Sequence, residues 1–197
     1  MIGIVKEMKK KKSGISEDVI FVFENILNKH RDEQGRLNLT GVVSFQPEWD
    51  DEFCEAMSKH LTKEQRFRLY ETQGGCNGTG ADKERKAFAA EYAHLALDER
   101  MTLFADTFNR WKPVLNDDNT LTLTFKCGHG YYKQVKEGKY TTPPQNVEGY
   151  FERCAGGRLY ELQKALGVKL KIKSVDVSSL SENVSNPVTF TFKIEEK

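Results

Sequence analysis

Two side chains suited to nucleophilic or metal chemistry stand one residue apart in this sequence, in Cys127-Gly128-His129. In an extended segment side chains alternate between faces, so Leu121, Leu123, Phe125, Cys127 and His129 share one side. The apolar members mark it as the core side. This predicts that Cys127 and His129 project inward at the end of a strand, with Gly128 and Gly130 opposite, where they permit a bend or a close approach. A third group comes from a predicted helix over 146–166, whose inward stripe is Val147, Phe151, Ala155, Leu159, Leu162 and Leu166, with Cys154 at its edge. Cys76, in the glycine-rich run GGCNGTG of 74–80, is the candidate fourth.

Three readings of this set stand side by side. Three thiolates and an imidazole suit a tetrahedral zinc ion, so Cys127, His129, Cys154 and Cys76 are the candidate metal ligands. The spacing is wide, a C-x-H and then single cysteines, and lacks the paired CxxC of a zinc ribbon. Alternatively, Cys154 is a nucleophile and His129 its general base, a pairing that needs a third, orienting group; Glu148, Glu152 and Glu161 are available and none is singled out. In the third reading Cys127 and Cys154 are small buried side chains and His129 a hydrogen-bonded turn residue.

Gly156 and Gly157 follow Cys154 inside the helix, where each costs about 1 kcal/mol relative to alanine. They predict a close approach by the sheet, another helix or a ligand. Arg158, one turn after Cys154, is the candidate for an anionic group, with plain solvation as the alternative. GGCNGTG offers backbone N–H groups to an anion but lacks the Gly-Lys-Ser/Thr of a phosphate-binding loop. His30, His60 and His94 stand alone in helical patterns and read as structural or exposed.

The elements that must position these residues follow from periodicity and punctuation. Residues 1–14, with lysines at 9–12, read as a flexible basic tail or a weak anion-binding arm. Ser16 opens a helix to about His30 with the stripe Ile20, Phe23, Leu27. Pro47 precedes a second, striped by Trp49, Phe53, Ala56 and Met57. Thr62 and Gln65 form a capping box for a third. From Ala81 to Trp111 the pattern is helical with a break near Asp98, marked by Phe88, Tyr92, Leu95, Met101, Phe104 and Phe108. Residues 15–115 are thus a helical region and 116–197 an α+β, ligand-binding-like region. Asn146 caps the 146–166 helix and Gly167 ends it. Val168, Leu170 and Ile172, and then Val188, Phe190, Phe192 and Ile194, alternate with polar residues and predict a hairpin across the polar linker 178–186. The fold class is α+β: a helical N-terminal half packed with a three- to four-stranded antiparallel sheet that a long helix covers.

Composition bounds the partners. The 197 residues carry 30 Lys plus Arg against 29 Asp plus Glu. So even a balance gives no global field for a polyanion, and nucleic acid and anionic membranes are not expected partners. No window approaches the roughly 18 apolar residues of a membrane span. The opening MIGIVKEMKKKK has no clean apolar stretch and no small-residue cleavage site after it. The expectation is a cytoplasmic protein whose four cysteines are thiols or metal ligands rather than disulfides.

The segment Tyr150–Ile194 resembles the 4-vinyl reductase domain superfamily and the bacterial L-2-amino-thiazoline-4-carboxylate hydrolase-like proteins. The shared pattern is a helix holding Cys154-Ala155-Gly156 and ending in Leu166-Gly167, a strand over 168–177, a polar loop, and a Phe-rich strand over 188–194. The upstream Cys127-Gly128-His129 also fits. The sequence departs from the pattern before its last strand: where relatives have Gly-Asp and a nearby Cys, it has Ser185-Asn186-Pro187 and no cysteine after 154. The resemblance implies helices and a curved antiparallel sheet around a small-molecule pocket, a wider group similar to haem nitric-oxide sensors and to Golgi-transport subunits with acyl-binding cavities. It makes a small-molecule-binding or sensor-like bacterial domain the leading expectation, with Gly156, Gly157 and Arg158 as ligand-binding residues. A hydrolase of small cyclic amidines or thiazolines, using Cys154 and His129, is the alternative; a non-catalytic interaction protein is the third. Self-association as a homo-oligomer stays open.

Overall fold

A computed structural model describes residues 1–36, 47–73 and 79–195, with side chains described from 52 and 81 onward in the second and third stretches. Helices α1 (Ile2–Met8), α2 (Glu17–Lys29), α3 (Pro47–His60), α4 (Lys63–Glu71), α5 (Thr79–Glu91) and α6 (Leu97–Phe108) come first. Strands β1 (Val114–Leu115) and β2 (Thr120–Phe125), helices α7 (Tyr131–Lys136) and α8 (Val147–Leu166), strand β3 (Lys169–Asp176), the short helix α9 (Ser179–Glu182) and strand β4 (Val188–Glu195) follow. The fold is α+β, with one four-stranded antiparallel sheet in the order β1-β2-β4-β3 packed against α8. Among the described residues no helix is long and apolar enough to cross a membrane.

The alternating strands do what their pattern requires. Leu121 pairs with Phe192, Leu123 with Phe190 and Phe125 with Val188, and all six are buried. The β3–β4 register shifts between Ile172 and Ser174. This bulge turns Val175 to the same buried side as Leu170 and Ile172, which simple alternation would not do. Against this layer lies the stripe of α8: Phe151, Ala155, Leu159 and Leu166 are all 0% exposed. Gly167 ends α8 in the left-handed conformation, φ 65°. The Thr62–Gln65 capping box forms at the start of α4.

The N-terminal segment corrects one expectation. Residues 2–8 are helical, and Ile4, Val5 and Met8 are buried in the core rather than solvated in a flexible tail. Their i, i+1, i+4 spacing is a helical stripe that the adjacent lysine run obscures. Lys9 and Lys10 pair with Glu24 and Glu7, which leaves little for an anion-binding arm.

On its other side α8 meets the helical half. A Cβ at Gly156 would lie 2.4 Å from the carbonyl oxygen of Tyr70 on α4, and one at Gly149 would lie 3.4 Å from the Cys54 Cβ on α3. Two buried carboxylates on the same helix fix the crossing. Glu152 accepts from Arg66 Nε and Nη2 at 2.7 and 2.8 Å, and Glu161 accepts from Arg85 Nη2 at 2.7 Å. A sheet on one side and helices on the other bury α8 nearly all round, which is why its polar residues are paired.

Candidate functional site

The alternation that was to carry Cys127 and His129 inward stops two residues early. β2 ends at Phe125, and 126–130 form a bend that closes at Gly130, φ 55° and ψ −127°. That backbone conformation suits glycine, and it turns the chain directly into α7. Cys127 is half-buried, and its thiol donates to the His129 carbonyl oxygen at 3.2 Å. The His129 side chain is exposed, and its imidazole has no hydrogen bond or ion pair to another described residue. The inward placement of His129 is therefore corrected: its loop, rather than its ring, engages the thiol.

Helix α7, absent from the sequence-based expectations, brings tyrosines to this end of the sheet. The Tyr132 hydroxyl donates to the Asn186 carbonyl at 2.9 Å and lies 3.3 Å from the Phe125 carbonyl, bridging the end of β2 and the chain entering β4. The Tyr131 ring packs on Tyr140 at 5.8 Å and on Phe151 at 5.3 Å, and its backbone N–H donates to the Tyr150 hydroxyl at 3.2 Å. Two polar atoms on the buried side of this helix have no hydrogen-bond partner: the Tyr131 hydroxyl and Gln134 Oε1, on residues 0% and 5% exposed. They lie at i and i+3, so they share a face of α7. Buried polar atoms are ordinarily paired, with protein or with a trapped molecule.

Cys154 is half-buried on α8, and both thiols bear on the same phenols. Burial pushes Tyr132 well above the ordinary tyrosine range, with Cys127, Tyr131 and Cys154 adding to the rise. Burial raises Tyr150 as well, with further contributions from Cys154 and, more weakly, Cys127. Cys127, just after β2, and Cys154, on α8, thus both act on the buried phenols of Tyr132 on α7 and Tyr150 on α8.

The remaining candidates fall elsewhere. Cys76 lies outside the described residues. Among those described, no group of three or more His, Cys, Asp and Glu side chains is placed to hold a metal ion. The close approach at Gly156 is made by Tyr70, which fills the space a ligand would need; Gly157 is buried beside it. Arg158 does meet an anion, the Glu161 carboxylate one turn on, and its guanidinium stands 5.9 Å from the Phe125 ring centre. Glu152 and Glu161, weighed as orienting groups for a Cys–His pair, are committed to arginines.

The faces that α8 and the sheet turn to each other are buried. Two open hollows lie instead on the helical side. One of about 210 Å³ is lined by Glu7, Lys12, Ser13 and Arg68, and one of about 480 Å³ by Asn25, Lys29, Glu52 and His60. Neither touches a cysteine or the tyrosine corner.

Compared with models of protein families, with curated proteins and with solved structures, the chain matches none.

Proposed function

We propose that the chain is a small-molecule-binding, sensor-like domain whose site is the corner formed by Cys127, Cys154, Tyr131, Tyr132 and Gln134. The observation that carries this reading is the pair of unpartnered polar atoms on the buried face of α7, the helix whose Tyr132 phenol both half-buried thiols act on. A ligand with a hydrogen-bond donor would satisfy Gln134 Oε1, and an acceptor or donor would satisfy the Tyr131 hydroxyl. Helix α7 lies between Gly130 and Gly138, at φ 55° and 76°, so short glycine hinges flank the element that covers the site. Reduced thiols in such a place suit a reducing compartment, and the reading puts the protein in the cytoplasm.

Site-resolved alkylation of the native protein tests it. Cys127 and Cys154 are expected to react while Cys54, 1% exposed, is protected until unfolding. Equal protection of all three thiols would overturn the reading. A Cys154 that reacts fast near pH 7, with a rate that falls on His129→Ala, would instead favour the thiazoline-type hydrolase.

A further inference from the structure

Outside the thiol corner, three arginines from three parts of the chain meet on one buried carboxylate. Glu161 is 2% exposed, and its Oε1 accepts from Arg85 Nη2 at 2.7 Å, Arg85 Nε at 3.2 Å and Arg110 Nε at 3.2 Å. Its Oε2 accepts from Arg158 Nη1 at 2.5 Å. Arg85 comes from α5, Arg110 from the residues just after α6, and Arg158 from α8.

The charges do not cancel. Among the described residues one buried carboxylate is paired with three guanidinium groups, and Glu84, 69% exposed, stands 3.6 Å from Arg85 Nη1. A surface contact of that kind is worth little. The three arginines are spent unequally. Arg85 is 6% exposed, uses Nε and Nη2 on Glu161, and lies 3.6 Å over the Phe108 ring; it is the structural member. Arg110 is 43% exposed and uses Nε on Glu161 and Nη1 on the Phe108 carbonyl. Arg158 is 15% exposed and uses only Nη1. Arg110 Nη2 and Arg158 Nε and Nη2 make no hydrogen bond to a described residue, and both side chains reach solvent.

Arg110 and Arg158 thus grip opposite oxygens of one carboxylate, which fixes their separation and leaves spare donors on both. A guanidinium presents planar, paired N–H groups that match an oxyanion, and fixing it beforehand removes the entropy cost of ordering it. We propose that Arg110 and Arg158, held by Glu161, form an oxyanion site that takes the carboxylate or phosphate group of a small molecule. The site stands on its own geometry. It rests on the function proposed above only in one respect: Arg158 is one helical turn after Cys154, so a single ligand could place its anionic end here and its remainder at the thiol corner.

The test uses the full chain and simple anions. Arginine Nε–Hε signals are followed by NMR as inorganic phosphate, and separately acetate, is titrated against sodium chloride of equal ionic strength. The expected result is saturable movement of the Arg110 and Arg158 signals with one of the two anions, which also tells phosphate from carboxylate. Arg110→Gln should weaken that anion at least tenfold, and Lys193→Gln, which removes an exposed charge on β4, should leave it unchanged. Movement no greater than that caused by chloride would overturn the proposal, as would wild-type affinity in Arg110→Gln. Because the thiols take no part, failure here leaves the thiol-corner reading standing, and the alkylation pattern can fail without touching this site.

Discussion

The backbone of Tyr70 occupies the place where a side chain at position 156 would go: a Cβ there would lie 2.4 Å from the Tyr70 carbonyl oxygen and 2.7 Å from its carbonyl carbon. Backbone cannot swing aside as a flexible side chain can. Gly156→Ala should therefore destabilise by about 2–3 kcal/mol despite the better helix propensity of alanine. Gly149→Ala, whose Cβ would reach the Cys54 Cβ at 3.4 Å, should change stability by less than about 1 kcal/mol. Urea denaturation of the two variants checks the contrast.

Arg66 and Glu152 form a bidentate pair in which the carboxylate is fully buried. Removing one partner strands a charge away from water. Glu152→Ala should cost about 3–5 kcal/mol, whereas the double variant Arg66→Met/Glu152→Leu should recover much of that loss. Chemical denaturation of the single and double variants measures the difference.

Two glutamates should make stability depend on pH with opposite signs. Burial works to raise the Glu161 carboxyl, but Arg158, Arg85 and Arg110 outweigh it and hold the group below the ordinary 4.5. Its contribution is present above pH 4.5 and is lost as pH falls through the lowered folded value. Burial holds Glu71 above 4.5, even though it accepts from the Ile172 N–H at 2.7 Å. Its contribution is present below 4.5 and is lost as pH rises through the raised value. Glu161→Gln should therefore flatten the acid limb of stability against pH, and Glu71→Gln should reduce the loss above it. Thermal melts across pH 3 to 7 read both.

The metal expectation has a direct check. If Cys127 and Cys154 line a small-molecule site rather than hold a metal, chelator treatment should leave both the melting temperature and the alkylation rates of these thiols unchanged. Elemental analysis beside the thiol titration gives the metal content. One zinc per chain, with thiols that open only after chelation, would instead make the cysteines ligands.

Period-two and period-3.6 patterns made the sheet and its covering helix legible, because one face of each is buried and every apolar residue takes part. The α8 stripe, the strand alternations over 121–125, 168–172 and 188–194, and the β3–β4 hairpin are legible from spacing alone. The candidate site was legible only in part. Cys127 and Cys154 could be placed at one end of the sheet, but Gly130 turns the chain before the alternation can carry His129 inward. Helix α7 is six residues long, too short for a periodic signal. The tyrosines Tyr131 and Tyr132 ahead of Gly138 were its only trace. The arginine node was less legible still: Arg85, Arg110 and Arg158 are 25 to 73 residues apart, and only tertiary packing brings them to Glu161.

The central claim is that a small molecule binds at the corner between β2, α7 and α8. Its most direct test is an amide chemical-shift map of the full chain against a set of small carboxylate and phenol fragments. The account predicts that binding fragments move the signals of residues 125–134 and 150–158 together, and that Tyr131→Phe weakens them without loss of fold. Fragments that bind only in the hollow lined by Lys12 and Arg68, or shifts in the corner that survive both Tyr131→Phe and Gln134→Leu unchanged, would contradict it.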